Sequence, residues 1–267
     1  MAESKNKYID AHLHLLDKRI AARAANIIRE SQEAGVEALF CNATTENNWT
    51  DVLHLGKAEV TVYPFLGIHP WYIDSLSPNR LDSLAALLRN SRAGIGEIGL
   101  DKTRDNFTLQ AVILQKQLKL AETLHRPVAI HCVRAWGKLL EILADIDLSA
   151  FKFLVHGFNG SLEVMQQLVK LGAFVSFSTM LAHPARERLR QVFIRTPLDH
   201  IFLETDAPDQ FCEIVSYNGN FSDYFSEKKL NHPLAVIKLY EYAARLRGMN
   251  VRDFAEILWN NGTIFTH

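Results

Sequence analysis

The sequence predicts an α/β fold built as a single closed barrel of eight parallel strands, and three features support this prediction. Short apolar, β-branched or aromatic runs alternate with longer amphipathic stretches along the 267 residues. Strands separated by helices pair in parallel, because a parallel pair needs a helical crossover. Eight such units in a chain of about 250 residues are typical of one (β/α)8 barrel. We therefore expect residues 1–267 to form one barrel domain.

Eight segments have the composition of strands. They are Tyr8–His14, Ala38–Asn42, Val62–Ile68, Gly94–Ile98, Val128–His131, Phe153–His156, Ala173–Phe177 and Ile201–Glu204. Among the intervening stretches, Phe107–His125 has apolar residues at the i, i+3/i+4, i+7 spacing of one buried helix face. An open doubly wound sheet is the alternative, but no G-x-G-x-x-G follows any of the strands.

The last third of the chain departs from this alternation. The stretch Asp209–Lys229 is the least regular, and it predicts a long loop over the mouth of the barrel. The segment His232–Asn260 predicts two further helices. The barrel is therefore expected to carry extra helices at its C-terminal end.

Composition limits the classes of partner. The net charge is −1, so the protein has no overall positive field for duplex nucleic acid, and affinity for DNA should fall only gently with salt. The three cysteines are far apart in sequence, which argues against a disulfide framework or a zinc knuckle. No run approaches the ~18 apolar residues of a membrane span, and no secretory signal is visible. We expect a cytoplasmic protein with no membrane association and no obligate protein partner.

The strongest local signal is the run from Asp10 to His14, which reads Asp-Ala-His-Leu-His. Side chains alternate along a strand, so Asp10, His12 and His14 are expected on one face. Two imidazoles at this spacing can bind one metal ion from a rigid strand end. A lone histidine here would more often be structural, but the pair at the end of the first strand favours metal binding. Asp10 is expected to support the ligands from behind.

Several other predicted strands end in a histidine or a carboxylate. His131, His156 and Asp206 follow apolar segments, and Glu97 lies in a Gly-rich apolar strand where a charge is costly to bury unless it is paired or coordinated. Barrel active sites form at the carboxyl ends of the strands, so these residues should meet the two histidines of the first strand. The predicted metal ligands are His12, His14, Glu97, His131, His156 and Asp206.

Four imidazoles and two carboxylates exceed what one tetrahedral zinc ion needs. They suit a site for two divalent ions, with Glu97 central enough in the strand order to bridge them. The histidine-rich set favours Zn²⁺ or Mn²⁺, and Mg²⁺ is also compatible.

The sequence resembles the TatD family of metal-dependent hydrolases, within the wider amidohydrolase-like superfamily. The resemblance runs nearly end to end, and the order and spacing of its motifs make it specific. The motifs that carry it are, in chain order, Asp10-Ala-His-Leu-His14, Gly67-Ile-His-Pro70, Gly94-Ile-Gly-Glu-Ile-Gly-Leu-Asp101, Gln117-Leu-Lys-Leu-Ala121, Pro127-Val-Ala-Ile-His131, Val155-His-Gly-Phe158, Glu204-Thr-Asp-Ala-Pro208 and Asn231-His-Pro233.

This resemblance implies a TIM-type barrel with two divalent metals that hydrolyses phosphodiesters, the family being best known for deoxyribonuclease activity. The expected substrate is DNA or a small phosphodiester, attacked by a water that the two metals activate. The family's metal positions fall on the six predicted ligands, with Asp206 and Glu97 expected to take part in catalysis. A further pocket histidine of the family falls on His69, which is expected to contact substrate.

The substrate rim departs from the family pattern. Relatives usually carry His-x-Arg after the fifth strand, whereas here Cys132 and Val133 follow His131 and the cation is Arg134. Arg134 is the residue expected at the substrate phosphate, but a shift of one residue turns a side chain to the other face if the strand continues.

Two other functions compete with phosphodiester hydrolysis. The first is an amide or ester hydrolase of the amidohydrolase type, in which a carbamylated lysine on the fourth strand often bridges the metals. Here that strand carries Glu97, and the neighbours of Glu97 include no lysine before Lys102. The second is a non-enzymatic binding protein, which has no need to keep six ligand-type residues together.

Overall fold

The computed structural model describes residues 6–59, 61–75, 79–219 and 222–266. In these ranges eight parallel strands pair in chain order, each with the next. The strands are β1 (Tyr8–Leu13), β2 (Val36–Asn42), β3 (Val62–Leu66), β4 (Gly94–Asp101), β5 (Val128–Val133), β6 (Phe153–Val155), β7 (Phe174–Phe177) and β8 (Ile201–Leu203). The predicted barrel is confirmed. Its extent over residues 1–267 stays a prediction, because both chain ends lie outside the described residues.

The barrel closes between β1 and the segment that follows β8. The amide of Asp206 donates to the carbonyl oxygen of His12 at 2.9 Å, and the amide of His14 donates to that of Ala207 at 2.7 Å. Both oxygens of the buried Asp10 carboxylate accept hydrogen bonds from Thr205, at 2.8 and 2.6 Å. This closure places two predicted ligands of β1 beside the predicted ligand that follows β8.

Ten helices lie within the described residues. They are α1 (Ala24–Glu33), α2 (Trp49–Ala58), α3 (Arg80–Arg89), α4 (Phe107–Leu124), α5 (Trp136–Ala144), α6 (Leu162–Lys170), α7 (Glu187–Arg195), α8 (Ser222–Glu227), α9 (Ala235–Leu246) and α10 (Val251–Thr266). The predicted helix Phe107–His125 is confirmed as α4, and the two C-terminal helices are confirmed as α9 and α10. The predicted loop Asp209–Lys229 is only partly a loop, because α8 forms inside it; residues 220 and 221 lie outside the described residues.

The amino-terminal half of the barrel interior is filled by apolar side chains. Its members are Ile9, Ala11, Ala38, Phe40, Phe65, Ala129, Leu154, Phe174, Phe202 and Phe265. Phe265 comes from α10, and its ring centroid lies 5.6 Å from that of Phe40 and 5.7 Å from that of Phe202. Helix α10 therefore packs against the floor of the barrel.

Two strands run further at their carboxyl ends than the sequence predicts. Strand β4 continues past Ile98 to Asp101, and β5 continues past His131 to Val133. Glu97 and His131 consequently lie inside paired strands rather than at strand ends. Gly99 pairs with His131, and a Cβ on Gly99 would lie 1.9 Å from the His131 carbonyl oxygen. Only glycine permits this close approach, which draws β4 and β5 together at the site.

No helix in the described part of the chain has both the length and the apolar character needed to cross a membrane.

Candidate metal centre

The six predicted ligands converge at the carboxyl end of the barrel. A cavity of about 640 Å³ opens there, and its wall includes His14, Glu97, His131, His156 and Asp206. His12 is fully buried beside them. These residues span 195 positions of the chain, so the barrel topology, not sequence proximity, brings them together.

One group of ligand atoms gathers around Oε2 of Glu97. This oxygen lies 3.3 Å from Nε2 of His12 and 3.4 Å from Nε2 of His14. Oδ1 of Asp206 lies 3.8 and 3.5 Å from the same two nitrogens. We refer to His12, His14 and Asp206, with this oxygen, as the first ligand set.

A second group gathers around the other oxygen of the same carboxylate. Oε1 of Glu97 lies 2.8 Å from Nδ1 of His131 and 2.7 Å from Nε2 of His156. We refer to His131 and His156, with this oxygen, as the second ligand set. The two sets are adjacent, because the rings of His12 and His156 stack with their centroids 3.7 Å apart. Each oxygen of the Glu97 carboxylate thus faces a different ligand set.

Sequence alternation alone does not explain how β1 presents its histidines. Ala11 packs in the apolar floor of the barrel, while Asp10 turns to Thr205. The pairing of β1 with β2 is irregular between Asp10 and Leu13. The strict alternation predicted for this strand is therefore broken, although His12 and His14 do reach the same cluster.

The chemistry of the cluster fits divalent cations. Its imidazole nitrogens and carboxylate oxygens lie within 4.8 Å of one another in three overlapping groups. Among the described residues, Nε2 of His12 is buried and has no hydrogen-bond partner. A buried donor set of this kind is costly without a cation or a proton to compensate it.

The ionisation states of the clustered histidines and carboxylates also favour a bound cation. Burial opposes a charge on His14, but a hydrogen bond with Asp206 and the charge of Glu97 raise its pKa to about 9. Burial likewise opposes a charge on Asp206, yet His14, His12 and His156 lower its pKa to about 2. The carboxylates thus stay ionised and attract positive charge, which a bound divalent cation would supply.

Asn42, at the end of β2, orients both histidines of the first set. Its carbonyl oxygen accepts a hydrogen bond from Nδ1 of His14 at 3.0 Å, which leaves Nε2 of His14 free to face the carboxylates. The side-chain amide of Asn42 lies 3.1 Å from Nδ1 of His12. Asn42 was not predicted from the sequence, although it is a polar residue that closes an apolar strand, as His131 and His156 are.

Gln210 is a second supporting residue that was not predicted from the sequence. Its Nε2 donates to Oδ2 of Asp206 at 3.0 Å, while its Oε1 accepts from the hydroxyl of Ser178 at 2.7 Å. It therefore holds the Asp206 carboxylate with Oδ1 towards the histidines. No sequence signal marked Gln210, because it lies in an irregular loop.

Glu204 lies behind the second ligand set. It is fully buried, and one of its oxygens accepts a hydrogen bond from Ser176. Its other oxygen lies 3.5 Å from Nδ1 of His156, and neither of these two atoms has a hydrogen-bond partner among the described residues. When Nε2 of His156 binds a cation, Nδ1 must carry the proton, and Glu204 is placed to accept it.

Glu204→Gln is therefore expected to weaken metal binding at the second set by about 10-fold or more, because it removes the charge that favours a protonated Nδ1. Titration of the metal-free protein against a chelator of known affinity measures this. The exposed Glu37, on β2, offers a matched control as Glu37→Gln. Unchanged affinity in Glu204→Gln would show that Glu204 only fills space beneath His156.

Of the two residues predicted to contact substrate, one lines the metal cavity and the other lies outside it. His69 is 4% exposed, and its Nε2 lies 3.1 Å from Oε1 of Glu97, so it belongs to the wall of the cluster. Arg134 is exposed just past the end of β5 and does not line the cavity. Contact of either residue with substrate stays a prediction, and for Arg134 the cavity wall offers no support.

The rim of the cavity includes an aromatic side chain and a cationic one. Trp71 is 47% exposed, and its indole nitrogen donates to Asp101 at 2.6 Å. Lys18 also lines the rim. Cys132 is buried, which raises the pKa of its thiol to about 12, so a cysteine nucleophile is disfavoured.

A (β/α)8 barrel with a buried cluster of histidines and carboxylates at its carboxyl end defines a metal-dependent hydrolase. The comparisons with known proteins specify the family: the family described as TatD related DNase matches residues 9–265. The chain belongs to this family.

Individual relatives agree with this assignment. The uncharacterized metal-dependent hydrolase YjjV of Escherichia coli K12 is 30% identical over 260 residues, or 96% of each chain. The crystal structure of YjjV superimposes with a TM-score of 0.87, covering 99% of this chain and 100% of that one. The human protein named 3'-5' RNA nuclease TATDN2 is 34% identical over 181 residues, which are 63% of this chain and 23% of that one.

Proposed function

We propose that this protein is a phosphodiesterase with two divalent ions that hydrolyses nucleic acid from a strand end, with DNA as the first candidate substrate. One observation carries the two-ion proposal: the two oxygens of Glu97 face separate ligand sets. The nucleic-acid substrate is supported by the family description and by the human relative named as an RNA nuclease. Zn²⁺, Mn²⁺ or Mg²⁺ would suit the donor atoms.

Each residue has a separate task in this proposal. His12, His14 and Asp206 would hold one ion, His131 and His156 the other, and Glu97 would hold both. Bound there, the ions stabilise charge on the phosphate oxygens and lower the pKa of water.

Asp206 would act as the general base. Its side chain is 13% exposed and lines the cavity, so substrate and water can reach it. As a water oxygen bonds to phosphorus, Asp206 accepts the water proton, and the bond from phosphorus to the leaving oxygen breaks.

Removal of metal is expected to abolish hydrolysis, and added Zn²⁺, Mn²⁺ or Mg²⁺ should restore it. The assay compares metal-reconstituted protein on single-stranded DNA, RNA, a chromogenic phosphodiester and a panel of amides. We expect turnover of the phosphodiesters and none of the amides. Preferred turnover of amides would contradict the proposal and favour the amidohydrolase alternative.

A further inference from the structure

A second groove, of about 960 Å³, adjoins the metal cavity. It lies between the N-terminal end of α6 and one side of α7 along its length, and it shares Gly157, Asn159 and Gln210 with the cavity wall. Gln210 lies at the junction, bonded to Asp206 on the cavity side and to Ser178 on the groove side. The groove and the metal cavity therefore adjoin at these three residues, where a chain-like ligand would pass from one to the other.

The groove is locally positive although the whole chain is not. Arg186, Arg188 and Arg195 line it, all three are exposed, and none forms a salt bridge with any described residue. Of its two acids, Glu187 lies 2.9 Å from the guanidinium of Arg190, which leaves Glu163 as the one uncompensated acid on this wall. Three free guanidinium groups beside a single free carboxylate favour an anionic ligand.

From these observations we infer that the groove holds the phosphate backbone of a single nucleic-acid strand whose scissile phosphate lies in the metal cavity. This inference rests on the proposed function. Arg186, Arg188 and Arg195 contact phosphates beyond the scissile one and so favour longer substrates.

Burial of the metal cluster favours a single strand over a duplex. Glu97 is 3% exposed and His156 is 7% exposed, so the scissile phosphate must reach the bottom of a cavity. A duplex would have to unpair and unstack locally to bring a backbone phosphate there, which costs free energy, whereas an unpaired strand has no such cost. The net charge of −1 also gives a duplex no general attraction.

The test measures binding separately from cleavage. Asp206→Asn protein, loaded with metal, is titrated against a labelled single-stranded oligothymidylate of about 12 nucleotides, a length that such grooves accept. The same titration is repeated with Asp206→Asn protein that also carries Arg186→Ala and Arg188→Ala, which we call the groove pair. A matched control protein carries Asp206→Asn with Arg29→Ala and Arg245→Ala, the control pair, because these two arginines are exposed and lie outside the groove. Hydrolysis of a chromogenic phosphodiester is then compared with Asp206 intact.

We expect the groove pair to weaken binding of the oligonucleotide by about tenfold, and the control pair to leave it unchanged. Each lost phosphate contact should also lower the slope of affinity against salt by about 0.7. Hydrolysis of the small phosphodiester should be unaffected, because it does not reach the groove.

If the groove-pair and control-pair proteins bind the single-stranded oligonucleotide with equal affinity, the inference is wrong. It is also wrong if the groove pair weakens binding of a duplex of the same length as much as it weakens binding of the single strand. A loss of small-phosphodiester hydrolysis in the groove pair would also overturn it, since the effect would then lie in the metal cavity. If the intact enzyme hydrolyses no phosphodiester, the proposed function fails. A groove-specific loss of oligonucleotide binding would still support the strand path.

Discussion

Replacement of Glu97 by alanine is expected to reduce turnover to background and to deplete both ions. Loss of a residue behind a ligand typically lowers metal affinity or activity by 10- to 100-fold, so loss of a ligand shared by both sets should exceed about 100-fold. Glu97 is 3% exposed, and its two oxygens lie within 3.4 Å of His12, His14, His131 or His156. Without it, four imidazoles face each other without a shared anion.

Metal content and steady-state hydrolysis of one chromogenic phosphodiester measure this effect. Glu97→Gln preserves the volume of the side chain and should keep the fold, which circular dichroism and thermal unfolding can check. Glu241→Ala, an exposed change on α9, serves as the matched control. Retention of most of the wild-type turnover by Glu97→Ala would make the bridging role wrong.

Asp206→Asn should lower turnover by at least about 100-fold while leaving the fold intact, because asparagine keeps the shape and one oxygen but cannot accept a proton. The first set would still offer His12, His14 and Glu97 to its ion, so metal content should fall only modestly. The hydrogen bond from Gln210 can be kept, since the asparagine oxygen can replace Oδ2. Hydrolysis of one phosphodiester under saturating metal measures the loss.

The control for this change lies on the same loop. The side chain of Asp209 is 54% exposed and pairs with Arg19 rather than with either ligand set, so Asp209→Asn reports any displacement of the loop itself. We expect Asp209→Asn to keep most of its turnover. If added metal fully restores the activity of Asp206→Asn, Asp206 is a ligand only and the general base is another group.

The fold could be predicted from the sequence because its signals are local. Each strand is a short apolar run, and each helix has an apolar face that residues three and four positions apart create. The eight strands, helix α4 and the two C-terminal helices therefore follow from stretches of fewer than twenty residues. Strand ends were less predictable: β4 and β5 continue because pairing with each other, as between Gly99 and His131, outweighs the local signal.

The convergence of the six ligand-type residues could also be predicted, because strand order alone carries the carboxyl ends of parallel strands to one face of a barrel. His12, His14, Glu97, His131, His156 and Asp206 do meet there. Their roles as ligands stay predictions that the variants above test.

Only the tertiary structure decided which atoms meet. The division of Glu97 between two ligand sets, and the choice of Nδ1 on His131 but Nε2 on His156, depend on side-chain torsions and on packing against distant neighbours. The sequence predicted Arg134 at the substrate, but β5 runs on to Val133 and leaves Arg134 outside the cavity.

The residues that support the ligands could not be predicted from the sequence for the same reason. Asn42 lies beside His12, and Gln210 accepts a hydrogen bond from Ser178, and both pairs join residues that are far apart in the chain. Local pattern determined the barrel and the list of candidate ligands, whereas the contacts that give those ligands their chemistry arise only when the closed barrel brings separate loops together.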